Sequence, residues 1–491
     1  MIQQETITIS KKEYEEYLQM KSEIADLKFR LSELNRLIFG AKSERFIPVD
    51  PQQINIFELP EEEKQIKQQQ ITYTRSKAED KKQAIRLELP AHLPRRTEVI
   101  EPENLPENAK KIGESITEVL EYEPATLYVR SIVRPKYIVS SDDEHTQITI
   151  ADLPSLPIPK GNAGASLLAY ILVSKFVDHL PFYRQVQMFK RQNVTIAEST
   201  VNGWFNATCK LLVPLYEVLK QVLLSANYLQ ADETPISVLT QDKPRATHKG
   251  YHWVYYDPVD KLVMFDYRKT RGREGPNDIL KFFAGHLQTD GYGVYTNLDI
   301  KSNIILLACM THARRKFEHA KDNDYDRASY ALKYIQSLYE IEREAQDKEM
   351  NFEQIKELRQ EKAVPILKEM ESWLKEEIYQ VLPQSAIGKA MSYTLSLWER
   401  LKRYTEDGRF QIDNNLIENS IRPVALGRKN YLFAGSHEAA QQAAMLYSLL
   451  ATCKINNIEP FAWLKHVLTV IPDYPANRLH ELLPIPANFK K

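Results

Sequence analysis

The chain has 491 residues, 43% of them hydrophobic and 27% charged, with a formal net charge of −1. At about 150 residues per domain this length makes room for roughly three domains, and the charge balance excludes a globally basic surface, so any nucleic-acid binding has to come from local patches. Cys209, Cys309 and Cys453 lie far apart without CxxC spacing, which excludes a disulfide scaffold and a cysteine zinc site. The first residues have no apolar signal core, and the most apolar stretch, 165–177, is too short to span a bilayer, so a cytoplasmic protein is expected.

In chain order, the first element is a helix over 10–46. Tyr17, Met20, Ile24, Leu27, Leu31, Leu34 and Ile38 form an a/d heptad seam that stops at Gly40. Two readings fit this N-terminal coiled-coil helix: self-association, or packing on its own chain. Residues 47–90 are rich in Gln, Glu, Lys and Pro and read as a polar linker. A small β-rich module follows over 91–152, with alternating apolar residues and turns near Pro124 and Pro135. After a proline-rich joint at 153–161, helices dominate 163–225. There, 182–192, a turn, and 197–205 form a helix-turn-helix-like pair. Ser199, Thr200 and Trp204 on the second helix either face DNA or pack internally.

Residues 226–436 then read as an α/β domain. Strands are expected at 228–232, 251–257, 261–267, 286–290 and 303–309, with helices at 276–284 and near 292–297. This order matches an RNase H-like catalytic core, whose first and fourth strands carry Asp232 and Asp290. Residues 320–402 are amphipathic and charged and read as a helical insertion interrupted at Pro365 and Pro383. A short capped helix is expected over 413–423, with Asp413 as its N-cap and Glu418 inside it. The last region, 437–491, contains an apolar helical stretch at 439–468 that would pack on the core.

Carboxylates on two strand ends and one helix can converge on a pair of divalent ions, which clamp the attacking and leaving oxygens of a phosphodiester exchange. Asp232, Asp290 and Glu418 are therefore the candidate metal-binding and catalytic residues. Glu233 would point to the opposite face of its strand and is the weaker candidate. Asn414 and Arg422 share a helix face with Glu418 at four-residue spacing. His312, Arg314, Arg315 and Lys316 form a basic run after the last strand, and Arg428, Lys429 and Tyr431 follow Glu418. Beside a carboxylate site these groups, with Arg422, are candidates for DNA phosphates and an unstacked base. The alternative for each is a solvated helix face or a turn.

The motifs resemble the transposases of the insertion sequence 66 family across nearly the whole chain. The matching segments are RLIFGAKSERF (36–46), RPKY (134–137), PIPKG (157–161), SKFVDHLPFYRQ (174–185), LQADETP (229–235), TDGY (289–292), THARRKF (311–317) and DNNLIENSIRPVALGRKNYLFAGS (413–436). The resemblance puts the family's DDE triad on Asp232, Asp290 and Glu418. It implies a transposase that uses Mg2+ (or Mn2+) to cut and join DNA at the element's terminal inverted repeats and in target DNA. It also implies a homo-oligomeric synaptic complex near the bacterial nucleoid and accessory proteins of the same element. The family often carries a cysteine zinc module before RPKY. The corresponding stretch here has no cysteine, so no zinc is expected. Two other functions fit the same residues: a structure-specific nuclease of RNase H fold, and a non-catalytic protein that binds element ends.

Overall fold

The computed structural model describes residues 127–130, 136–142, 145–150, 154–159, 161–240, 246–296, 298 and 303–489. The heptad helix, the polar linker and most of the β-rich module lie outside the described residues. The chain divides into two compact units, one of which is Gly40–Leu153. The described part of that unit is an antiparallel pair, β1 (Lys136–Asp142) and β2 (His145–Ile150), whose register shifts between Ile138 and Ser140.

The larger unit opens with three helices, α1 (Ala165–Phe176), α2 (Phe182–Arg191) and α3 (Glu198–Leu224). The second helix of the helix-turn-helix-like pair is therefore not short. It runs for 27 residues through Pro214, because Val201, Phe205, Leu212, Leu215, Leu219 and Leu223 keep a continuous buried stripe. Ser199 and Thr200 are exposed at its start and Trp204 is half-buried.

A five-stranded sheet follows: β3 (Tyr228–Leu239), β4 (Thr247–Asp257), β5 (Leu262–Arg268), β6 (Gly285–Thr289) and β7 (Ile304–Ala308), in the order β5-β4-β3-β6-β7. Each strand coincides with an apolar run in the sequence. β3 and β4 extend beyond the expected 228–232 and 251–257. The central strand β3 pairs parallel to β6 over Tyr228–Gln230 and antiparallel to β4 over Gln230–Leu239. The β5–β6 connection holds α4 (Glu274–Ile279) and a 3₁₀ turn, Leu280–Phe282, in place of one helix over 276–284. Residues 293–296 form a turn and Leu298 is helical, close to the short helix expected near 292–297.

After β7 come α5 (Met310–Ala320), α6 (Tyr325–Asp347), α7 (Phe352–Leu358), α8 (Val364–Glu377), α9 (Ala386–Ser396) and α10 (Trp398–Lys402). Pro365 does not interrupt them. A π turn, Arg359–Ala363, joins α7 to α8 and places Pro365 in the first turn of α8, where its missing N–H leaves no gap. The chain does break near Pro383. These helices share a core that includes Ile335, Leu338, Leu367, Met370, Leu374 and Met391.

The helix with Glu418 is α11 (Asn415–Tyr431), which is longer than the expected 413–423 and continues through Pro423. Asn414, not Asp413, holds the N-cap position. Two helices close the chain, α12 (His437–Ile455) and α13 (Pro460–Val470). α12 lies along β5, and its hydroxyls meet the strand's outer edge. Ser448 Oγ accepts the Phe265 N–H at 2.8 Å and Thr452 Oγ1 accepts the Val263 N–H at 3.3 Å. Among the described residues no helix is long and apolar enough to cross a membrane.

Candidate active site

Asp232 lies two residues past Gln230, where β3 stops pairing with β6. Asp290 lies two residues past Gln288 and one past the end of β6. Continuing the Gln230↔Gln288 register places Asp232, inside β3, beside Asp290, just past the end of β6, at a strand spacing of about 5 Å. Side chains alternate along a strand, so each aspartate shares a face with the glutamine two residues before it.

Those glutamines anchor the third acid. Gln230 Nε2 donates to Gln288 Oε1 at 2.9 Å and to the Asp413 carbonyl at 2.9 Å. Gln288 Nε2 donates to the Gln411 carbonyl at 2.7 Å. Tyr228 Oη donates to Gln288 Oε1 at 2.5 Å and accepts the Gln411 N–H at 3.0 Å. Tyr228, Gln230 and Gln288 are buried, so this network ties the segment leading into α11 to the two acid-bearing strands. Glu418 follows in the first turn of α11.

Asp413 supports the same junction. Its Oδ1 accepts the Asn415 N–H at 2.9 Å, and its Oδ2 accepts from Tyr339 at 2.7 Å and Thr311 at 3.0 Å. Capping is thus only part of its work. Asn414 is 1% exposed, and neither side-chain atom has a hydrogen-bond partner among the described residues. From α9, Tyr393 Oη donates to the Asp290 carbonyl at 2.7 Å. Gly291 turns the chain with φ of 85°, and a Cβ there would stand 2.7 Å from Leu397 Cδ1. Asp290 Oδ1 also accepts the Tyr292 N–H at 2.8 Å, so the carboxylate organises its own turn while sitting beside Asp232.

The charged side chains that act most on Asp232 are acids. Burial pushes its carboxyl up to about 8, with Glu233, Asp290 and Glu418 adding to the rise and its bond from the Glu233 N–H opposing it. Among the described residues no cation pairs with it. The three acids feel one another without closing into a cage. Among the described residues no three His, Cys, Asp or Glu side chains are close enough to hold a metal ion as they stand. Glu418 instead leans toward Arg315 at 3.9 Å. The donor set nevertheless fits a hard divalent cation, being all carboxylate oxygen around a half-buried acid that lacks a cation.

The other candidates divide. His312 has Asp290 and Glu418 among its electrostatic neighbours, and burial lowers its ring from the ordinary histidine value. Arg315 is half exposed at Glu418. Lys316 Nζ lies 5.4 Å from the centre of the Tyr393 ring. Arg314 is engaged by Glu318 at 2.8 Å. Arg422 and Lys429 are exposed on α11. Arg428 donates to the Pro235 carbonyl and Tyr431 meets the Tyr447 hydroxyl, so both serve the join between α11, β3 and α12. Glu233, set aside on the sequence, is ion-paired to Arg271.

The sequence reading missed Tyr228, Gln230 and Gln288. A signal was present: Leu-Gln-x-Asp occurs at 229–232 and again at 287–290, and the two copies pair side by side on β3 and β6.

Comparison with known proteins agrees with the motifs. The model of the transposase IS66 family matches residues 160–442, the IS66 C-terminal element matches 448–485, and the element described as "Transposase C of IS166 homeodomain" matches 26–97. The chain is similar to three uncharacterized proteins of Sinorhizobium fredii. It is 31% identical to y4jD over 95% of each chain. It is 33% identical to y4qI over 95% of this chain and 89% of that one, and 30% identical to y4hP over 94% and 88%. No solved structure matches it. With more than half its length covered by the family model, the chain belongs to the IS66 transposase family.

Proposed function

We propose that the protein is a DDE transposase with an RNase H-like core, in which Asp232, Asp290 and Glu418 hold Mg2+ or Mn2+ for cleavage and strand transfer at DNA ends. The observation that carries this reading is the half-buried Asp232 carboxylate, crowded by acids and unpaired with any cation among the described residues. A structural carboxylate in that position would have been given a partner. The strand order, with acids within β3, just past β6 and on a later helix, supports the RNase H-like reading.

When bound, the divalent ion supplies charge stabilisation to the attacking and leaving oxygens of the phosphodiester. The chain's own residues do the rest. Tyr228, Gln230 and Gln288 fix the junction before α11, which sets where Glu418 can reach. Tyr393 and Gly291 fix the turn behind Asp290. Arg315 stands at Glu418 and becomes available to a phosphate as that acid turns inward. Arg422 and Lys429 extend the same helix surface, where a DNA backbone can run. Element ends and target DNA are the substrates in this reading, and a pair of ends calls for at least two copies of the chain.

The test is cleavage and joining of a labelled duplex carrying an element end, in Mg2+ and with the element's accessory proteins supplied. Wild type is expected to give joined products, and Asp290→Ala to lose at least ~10³-fold in rate. Cleavage without joining would favour a nuclease. Equal products from both proteins would remove Asp290 from the site.

A further inference from the structure

We propose that Arg271 is a phosphate clamp at the lip of the acid site, held ready on Glu233 and Tyr292. This rests on the transposase reading above and adds to it a DNA contact outside the acidic triad and the basic run after β7. Arg271 belongs to KTRGR, the 269–273 segment that leaves β5. Its Nε and Nη2 both donate to one oxygen of Glu233, Oε1, at 2.8 and 2.5 Å. Its guanidinium carbon lies 4.1 Å from the centre of the Tyr292 ring. Tyr292 is the residue whose N–H the Asp290 carboxylate accepts. Nearby, Arg273 Nη2 reaches the Gly293 carbonyl at 3.2 Å. The turn after β5 thus bends over the loop that follows Asp290.

The ion pair is lopsided in a way that points to a third group. An arginine whose work is to satisfy a carboxylate usually meets both oxygens, fork to fork. Here both donors converge on Oε1, and Glu233 Oε2 is buried without a hydrogen-bond partner. The Glu233 side chain is 3% exposed while Arg271 is 45% exposed. Among the described residues Arg271 Nη1 has no hydrogen-bond partner. The guanidinium therefore keeps an open edge toward solvent, over the Tyr292 ring, between side chains that follow Asp232 and Asp290 in the chain. The ring and the Glu233 tether hold the cation in place. A phosphate bound by two parallel N–H donors fits that open edge, and arginine suits such planar recognition. A cation at this lip also offsets the repulsion that the acids exert on an incoming DNA backbone.

The experiment measures binding of the full-length protein to a labelled duplex carrying the element end, without divalent metal, across a salt series. Removing one phosphate contact reduces the slope of log affinity against log salt by about one. Arg271→Ala is expected to do this, so that its affinity deficit against wild type shrinks about threefold to fourfold between about 50 and about 200 mM salt. Arg271→Lys, which keeps the charge, is expected to retain the slope. Should Arg271→Ala melt, Arg271→Gln carries the same comparison with a side chain that still reaches Glu233. A wild-type slope in the alanine or glutamine variant overturns the clamp and leaves Arg271 a structural partner of Glu233. Wild-type binding without salt dependence would instead sink the DNA reading itself.

Discussion

Arg359 in the helical insertion is fully buried and Asp232 on the central strand is half-buried, and the chain treats the two charges in opposite ways. Arg359 is 2% exposed, and all its nitrogens are answered. Nε and Nη2 meet the two oxygens of Glu342 at 2.8 and 2.6 Å, and Nη1 donates to the carbonyls of Tyr404 at 2.8 Å and Asp407 at 2.9 Å. Asp232 receives one backbone N–H at 2.7 Å and otherwise faces its own sign. The more deeply buried charge is the satisfied one, so burial does not mark function. The missing partner does. A structural charge is compensated inside the fold, whereas a working charge is left for something that arrives later.

Three variants test this contrast, beginning with the largest expected effect. Arg359→Ala strands the Glu342 carboxylate and two carbonyls, and is expected to cost about 3–5 kcal/mol in denaturant unfolding. A loss under about 1 kcal/mol would mean that the insertion does not depend on this pair. Asp232→Asn should act in the other direction. The unfolded carboxyl ionises near pH 4, whereas burial among acids holds the folded one protonated up to about 8. Between those values the folded chain binds more protons, so the metal-free protein loses stability as pH rises. The asparagine variant is neutral throughout. It is expected to be about 2–4 kcal/mol more stable than wild type at pH 8 and equal to it near pH 4. Added Mg2+ should narrow the gap, because only the wild type gains binding energy. A gap independent of pH and metal would show that Asp232 is already satisfied.

The smallest effect concerns a buried group that is neither compensated nor charged. His252 is 0% exposed, and both its ring nitrogens lack partners among the described residues. It stands among the rings of Phe265, Tyr267 and Tyr447. Burial, helped by Arg428, pushes it down to about 3. The unfolded chain therefore binds an extra proton between about pH 6.5 and 3, and stability drains away as pH falls through that window. His252→Phe is expected to blunt this acid sensitivity and to gain about 1 kcal/mol near pH 5. Unchanged acid unfolding would show that other groups set it.

The sheet was readable because β5 and β7 are short apolar runs and β3 opens on one, although β3 continues well past Asp232. The boundaries failed where tertiary contacts overrode local signals. Pro423 and Pro214 lie within helices whose buried faces continue past them. Pro365 follows a π turn that no composition signal announces. Asp413 resembled a helix cap because capping is what a lone Asp before a helix usually does. Its second oxygen is claimed by Tyr339, 74 residues earlier. Tyr393 reaches Asp290 from 103 residues away. Such hydroxyls look like ordinary aromatic members of an amphipathic helix until the helix is docked. Arg271 was equally hidden, since one arginine in a basic turn carries no signal until its neighbours are seen.

Ser448 and Thr452 carry a last consequence. By engaging the Phe265 and Val263 amides, they occupy the margin of the sheet where another polypeptide would otherwise add a strand. Two copies brought together at a pair of DNA ends therefore cannot join by extending one continuous sheet across this margin. The same seal protects a transposase crowded on DNA from the strand-to-strand stacking that turns assembly into aggregation.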